Sequence, residues 1–423
     1  MRVLLISANT EKINMPTLPL GLAYVAAATQ KAGHEVAIAD LMTENDPRSV
    51  LKETIEGFRP NIIGISVRNI DDQRMENPRL LLYPVKEIVT VCRGLSEAPI
   101  VLGGAGYSIF PESALSFLGA DMGIQGEGEV VFPELVNRME LSADLSGLSG
   151  LYLQGQARQC ERVFAKDLDR LPLPDPDLWS SPSQKEEIWM PVQTRRGCSL
   201  SCSYCSTGTI EGRLLRRRSP DTVVQWIARW RKARIRQFYF VDNTFNLPPS
   251  YAKEICRKLI GHDLNIRWWG IIYPKQVDDE LVRLMARAGC EQVAIGFESG
   301  DEQILKSMNK RFTTKEVREA SEIFSDHGIK QMGFLLLGGP GETRDSVEES
   351  LIFGDSLKLD TLKITAGVRI YPHTLLAKVA IDQGLISPHN DLFLPRFYLA
   401  KGLENWLPET LNNWMATRPR WMI

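Results

Sequence analysis

No stretch of the 423-residue chain approaches the ~18 uninterrupted apolar residues that a membrane-spanning helix needs. The opening MRVLLIS holds one basic residue and too short an apolar run for a secretory signal, and it reads as a buried strand. There is no excess of charge either: 50 basic side chains face 52 acidic ones, for a net charge of −2. Nothing global therefore favours counterion release on a nucleic acid, and the one basic cluster, Arg213 with Arg216, Arg217 and Arg218, needs a local explanation. Seven cysteines are an odd number, and three crowd between residues 198 and 205, which argues against a disulfide framework and for a reducing, cytoplasmic setting. No low-complexity tract is present. What is there is ordinary globular composition, 43% apolar and 24% charged, in a length that suits roughly two to three domains.

The first half alternates strand and helix. Strands are expected at Arg2–Ser7, Glu35–Ala39, Asn61–Val67, Pro99–Leu102 and Asp121–Gln125, with helices at Leu18–Ala32, Pro47–Gly57 and Pro78–Arg93. Nearly continuous apolar runs such as NIIGISV suit strands covered on both faces. Residues 1–140 thus read as an α/β, flavodoxin-like (Rossmann-type) doubly wound sheet, and 141–187, with four prolines between 168 and 185, as a Pro-rich linker. A second alternation follows, with strands near Pro191–Arg196, Gln237–Val241, Asn265–Ile271, Gln292–Glu298, Lys330–Leu337 and Thr361–Ile370. Ser219-Pro220-Asp221 and Thr313–Glu316 carry helix-start signals. Six βα units are too few for a closed eightfold barrel, so residues 188–390 read as a partial (β/α)6 TIM barrel, and 391–423 as a short helical C-terminal cap.

The densest chemical signal is Cys198-x-x-x-Cys202-x-x-Cys205, directly after the first barrel strand. Loops at the C-terminal ends of barrel strands are where such folds place their chemistry. Three thiolates on one tight loop can cap three corners of an iron–sulfur cubane and leave its fourth iron without a protein ligand. Structural zinc would need a fourth ligand, and the next candidates, Cys256 and His262, are isolated. A bacterial ferredoxin run would need closer spacing and a further Cys-Pro. The neighbouring Arg195 and Arg196 are either solvated charges or counter-charges to a cluster.

This motif, with Tyr204 just before the third cysteine, resembles the cluster motif of the radical S-adenosylmethionine (SAM) superfamily, and residues 188–390 fit that family's later landmarks. The resemblance implies a 4Fe–4S cluster on Cys198, Cys202 and Cys205, with SAM chelated at the open iron. Phe240–Asn243 ends the second strand, where the family contacts the methionine amino group; Ile295–Gly300 ends the fourth. Leu336–Glu342 ends the fifth and resembles the adenine-side element, and Arg369–Pro372 ends the sixth. By this resemblance Tyr204, Asp242, Asn243, Glu298, Ser299, Gly338, Glu342 and Arg369 are cofactor-binding candidates, and Glu298 and Tyr371 catalytic ones.

A doubly wound sheet binds its ligand beyond the strand ends. The candidate loops are Thr17–Gly21, Ser66–Asn69, Gly103–Gly106 and Gly126–Glu129; none is a G-x-G-x-x-G. Residues 1–140 resemble the cobalamin-binding domain that precedes many radical SAM enzymes, through Pro19–Tyr24, Lys31–Val36, Gly103-Gly104 and Gly126–Glu129. The D-x-H-x-x-G box that supplies a histidine to cobalt is missing, and His34 is expected at the surface. The resemblance implies base-off cobalamin with no histidine ligand, contacted from Thr17, Ser66, Arg68, Asn69, Gly103, Gly104, Gly126, Glu127 and Gly128. Arg68 is the catalytic candidate here, lying under the corrin or else paired with Asp71 or Asp72.

Together the two resemblances imply a cobalamin-dependent radical SAM enzyme that methylates a carbon of a small-molecule, amino-acid or peptide substrate. Cyclisation or rearrangement, and polar methyl transfer, are the alternatives. Reduced flavodoxin or ferredoxin is the expected electron donor, with no nucleic-acid or membrane partner. A methylthiotransferase would carry a second cysteine triad, but the first half has only Cys92 and Cys160. A non-catalytic regulator would have no use for the cysteine triad.

Overall fold

Six strands form the first sheet of the computed structural model: β1 (Arg2–Ser7), β2 (Glu35–Asp40), β3 (Ile62–Ser66), β4 (Ile100–Gly103), β5 (Met122–Ile124) and β6 (Leu151–Leu153). The structure describes residues 1–11, 18–42, 44, 46–156, 161–178 and 189–422; the expectation for Thr17 and part of the Pro-rich stretch fall outside them. The order is β2-β1-β3-β4-β5-β6, parallel except for β6, which runs antiparallel to β5. Val3 to Ile6 of β1 are wholly buried, as strands roofed by helices on both faces must be. The core of Leu5, Leu22, Val101, Phe132 and Leu135 sits between the sheet and helices Leu20–Lys31 and Gly128–Glu140. Because β1 lies between β2 and β3, the winding reverses there, and a crevice opens past the C-terminal ends of β1 and β3.

This unit comprises residues 1–72, 79–188 and 207–212. The stretch from residue 141 is therefore more than linker. Buried Leu151 and Tyr152 extend the sheet, and Gly150, at φ +66°, makes the turn into β6. His34 is not at the surface but buried, with Nε2 2.9 Å from Asn137 Oδ1. It precedes β2, at the edge opposite the crevice.

The second unit comprises residues 73–78, 189–206 and 213–423. Its strands are β7 (Met190–Val192), β8 (Arg195–Arg196), β9 (Arg216–Arg217), β10 (Gln237–Phe240), β11 (Arg267–Ile272), β12 (Cys290–Glu298), β13 (Lys330–Leu337), β14 (Thr361–Ala366), β15 (Val368–Arg369), β16 (Phe397–Tyr398) and β17 (Trp421–Met422). The open parallel sheet β7-β10-β11-β12-β13-β14-β17 is a partial barrel, while β8–β9 and β15–β16 are short antiparallel ribbons. Ser219 caps its helix by accepting from the Thr222 N–H, and Thr313 with Glu316 forms a capping box. Trp268 is core: its ring meets Phe240 and Phe245 at 4.9 Å, and its indole N–H donates to the Ala288 carbonyl.

Two expected strands break for identifiable reasons. The first splits after Val192 because the Asp242 carboxylate draws the Thr194 and Arg195 N–H groups out of the ladder. The last splits at Gly367, whose φ of +76° turns the chain into β15. The C-terminal segment contributes helix Trp406–Met415, as a cap would, but also β17, a seventh strand paired with β14. Among the described residues no helix is long and apolar enough to cross a membrane.

Candidate functional site

The cysteine loop leaves β8 at Gly197, φ +86°, and turns again at Ser201, φ +56°. Two clamps hold it. The first is a buried ion pair. Arg195 is 2% exposed; its Nε stands 3.5 Å from Asp242 Oδ2, and its guanidinium donates to the Thr194 hydroxyl and to the carbonyls of Phe245 and Leu247. Tyr251 lies under the guanidinium, 4.7 Å from ring centre to Cζ. Asp242 accepts from the Thr194 N–H (2.8 Å), the Thr194 hydroxyl (2.6 Å) and the Arg195 N–H (3.2 Å). Burial raises the Asp242 pKa, opposed by Arg195 and the Thr194 hydrogen bonds. Removing one partner of such a pair costs about 3–5 kcal/mol, because the other charge stays buried.

The second clamp is the turn Met308–Phe312. The Ser203 N–H donates to the Met308 carbonyl (3.0 Å), and Asn309 Nδ2 donates to the Ser201 carbonyl (2.7 Å). Lys310 Nζ stands 3.1 Å from Glu298 Oε1 and 5.3 Å from the centre of the Tyr204 ring. Burial alone would lower the Lys310 pKa, but Glu298, Tyr204 and Cys202 outweigh it and hold the ammonium charged. The Arg311 N–H donates to the Tyr273 hydroxyl, whose ring packs on Phe312 at 5.0 Å. Between the clamps, Cys198 and Cys202 are half-buried and Cys205 is exposed. Burial pushes the Cys202 thiol up, opposed by Lys310.

Among the described residues no three Cys, His, Asp or Glu side chains converge on a single-ion site. Three thiols with no fourth Cys or His in the motif are one ligand short of a structural zinc site. The trio fits a cubane, in which each thiolate takes a different iron and the motif offers nothing to the fourth.

At the end of β13 the chain turns through Gly338, φ +97°, where both Gly338 and Gly339 N–H groups donate to Glu342 Oε2. The other carboxylate oxygen is buried with no hydrogen-bond partner, and burial raises the Glu342 pKa from 4.5 to about 7.

In the first unit the crevice holds a small, shallow pocket lined by Asn9, Glu11, Ser66, Arg68, Asn69 and Leu81, among others. Arg68 is exposed there, and Asn69 Nδ2 donates to Asn9 Oδ1. Gly104, φ +102°, lets the turn after β4 close on the chain itself, since a Cβ would stand 2.6 Å from the Val67 carbonyl. A crevice past the strand ends of a doubly wound sheet is where such a domain takes its ligand, and a broad flat group such as a corrin would lie across those ends.

Residues 192–353 match the radical SAM superfamily, and residues 6–136 match the B12 binding domain. The chain thus carries a B12 binding domain followed by a radical SAM domain. Its two domains imply a 4Fe–4S cluster, SAM and cobalamin. An uncharacterized methyltransferase of Pyrococcus horikoshii is 27% identical over 403 residues, 92% of this chain and 85% of that protein. The tryptophan 2-C-methyltransferase of Streptomyces laurentii is 23% identical over 89% of this chain and 74% of its own. Among solved structures, the radical SAM methyltransferase TsrM of Kitasatospora setae, with tryptophan and a SAM analogue bound, gives a TM-score of 0.87 at 22% identity, covering 100% of this chain and 90% of that one. That last likeness is one of fold.

In the radical SAM domain the structure gathers Cys198, Cys202, Cys205, Tyr204 and Glu298 around the Lys310 turn, and leaves Asn243 and Tyr371 half-buried at strand ends. Four further cofactor-binding candidates are engaged within the fold. Asp242 is consumed by the Arg195 clamp, and Ser299 is buried against Ser350 Oγ at 2.9 Å. Arg369 is buried, donating to the Ile370 and Leu392 carbonyls. Glu342 closes its own loop. Each sits at the expected strand end but faces inward. The arginine cluster has its local explanation too: Arg216 and Arg218 are buried, and Arg216-Arg217 pairs with Arg195-Arg196 as a ribbon. In the B12 domain Ser66, Arg68 and Asn69 line the crevice. Gly103 stands beside Ser66 in the ladder, Gly126 donates to Ser108 Oγ, Glu127 accepts from the Ala165 N–H, and Gly128 lies against Val25. Lys310 was not foreseen, since a lone Lys in a turn 105 residues beyond the third cysteine carries no local signal.

Glu342 makes a testable pH signature. Its folded pKa lies above its unfolded value, so the fold holds the extra proton between about pH 4.5 and 7. Stability is therefore lost as pH rises through that window, by on the order of 3 kcal/mol. Glu342→Gln keeps the acceptor for Gly338 and Gly339 and removes the charge. Its Tm relative to the wild type should rise between pH 5 and pH 8; a constant difference would contradict the assignment.

Proposed function

We propose that the protein methylates a carbon centre of a small-molecule or peptide substrate, with cobalamin as methyl carrier and a SAM-derived radical to activate the carbon. The observation that supports this most is the pairing, in one chain, of a clamped three-cysteine loop with a histidine-free crevice. Likeness to methyltransferases over nine-tenths of the chain points the same way. When bound, the cluster and SAM supply one-electron cleavage and C–H activation, and cobalamin supplies a transferable methyl group.

The chain's own contribution is placement. Cys198, Cys202 and Cys205 would hold the cluster, and Tyr204 gives that loop an apolar wall carrying the Lys310 cation. Arg68 presents an exposed guanidinium at the crevice, close enough to Asp40 to lower that buried carboxyl's otherwise raised pKa. A cation under the corrin would disfavour a lower ligand on cobalt, and His34 lies at the opposite edge of the sheet, so cobalamin should be base-off with no histidine ligand. The reduced protein should accordingly show a cob(II)alamin EPR spectrum without nitrogen superhyperfine splitting, and Arg68→Leu should increase axial ligation. Nitrogen splitting in the wild type, or an unchanged Arg68→Leu spectrum, would overturn the arrangement.

Products separate the reaction types. With SAM, a low-potential reductant and tryptophan as first probe substrate, radical methylation yields S-adenosylhomocysteine and 5′-deoxyadenosine in equal amounts. Deoxyadenosine alone would mark a rearrangement or cyclisation, and S-adenosylhomocysteine alone a polar transfer.

A further inference from the structure

Lys310 is a buried charge for which the proposed chemistry has so far no use. Its side chain is 6% exposed, and Nζ stands 3.1 Å from Glu298 Oε1, 5.3 Å from the Tyr204 ring centre and 5.9 Å from that of Phe312. The backbone around it is fixed. Met308 and Asn309, its two predecessors, hydrogen-bond to Ser203 and Ser201, which flank Cys202 in sequence. Glu298 reaches the pair from the end of β12 at φ +63°, a region that costs a non-glycine residue free energy, and the ladder slips by a residue between Gly296 and Glu298. A cation is thus delivered to the cysteine loop by one element and its counter-ion by another. A solvated lysine on the surface would need neither.

We infer that Lys310 is the positioning residue that sets the reduction potential of the cluster, through its charge beside the Cys202 corner. The inference rests on the cluster assignment above. When a low-potential one-electron donor reduces the cluster, no bond forms or breaks and the cluster gains one negative charge. A fixed ammonium next to one of its thiolates stabilises that charge and makes reduction easier. Glu298, 3.1 Å from the ammonium, keeps the cation in place and is not itself a ligand in this account. The Tyr204 ring keeps water from screening the ammonium, which is a physical use for an aromatic residue immediately before the third cysteine.

The test is a potentiometric titration of the anaerobically loaded full-length protein, following the EPR signal of the reduced cluster. Lys310→Met and Lys310→Gln should lower the equilibrium constant for one-electron reduction about tenfold, a fall in midpoint of about 59 mV. Lys310→Arg, which keeps the charge, should stay near the wild type. Fully loaded Met or Gln variants with an unchanged midpoint would overturn the inference. So would loss of the cluster from both of them with retention in Lys310→Arg, which would make the residue structural only. A wild-type protein without iron and sulfide would instead sink the cluster assignment itself, so the two failures are distinguishable.

Discussion

The proposed chemistry depends on presenting three thiols on one short loop, Cys198, Cys202 and Cys205, with no fourth cysteine in the motif. A loop of small polar residues has no core of its own to hold it in shape, so its geometry must be imposed from outside. The chain does this with buried electrostatics. Arg195 and Asp242 lock the approach to the loop, and the Met308–Phe312 turn grips its middle. Both clamps place charge where water is scarce, which is costly unless each hydrogen bond is made. Arg195, with three acceptors besides Asp242, meets that condition.

The B12 domain meets a different constraint. A parallel sheet with its switch point between β1 and β3 has one natural crevice, and the polar residues that line it come from the loops after those strands. Gly104 and Gly106 let the turn after β4 approach the backbone of Val67 and Arg68 beside the crevice. His34, the one histidine of that domain, is engaged with Asn137 at the other end of the sheet. That placement is the observation on which the proposed cobalamin without a histidine ligand rests.

What was legible in the sequence divides along physical lines. Alternating apolar runs and capping signals are local, so both sheets and the helix starts at Ser219 and Thr313 could be read directly. The cysteine spacing is local too. Orientation at a strand end is not. Asp242, Ser299, Glu342 and Arg369 lie at the strand ends where cofactor contacts were expected, and each also hydrogen-bonds backbone or side-chain groups of its own fold, a pairing that periodicity does not record. Strand breaks at Thr194 and Gly367 have the same origin, and β17 and Lys310 depend on pairings distant in sequence. The lesson is that a strand-end polar residue names a place, and only its hydrogen bonds name its work.

The most direct measurement is the iron and acid-labile sulfide content of anaerobically purified protein, together with its EPR spectrum after one-electron reduction. A cubane on Cys198, Cys202 and Cys205 requires about four irons and four sulfides per chain and a reduced 4Fe–4S signal, both abolished by Cys202→Ala. Stoichiometric zinc, or a colourless protein with neither iron nor sulfide after reconstitution, would contradict the account.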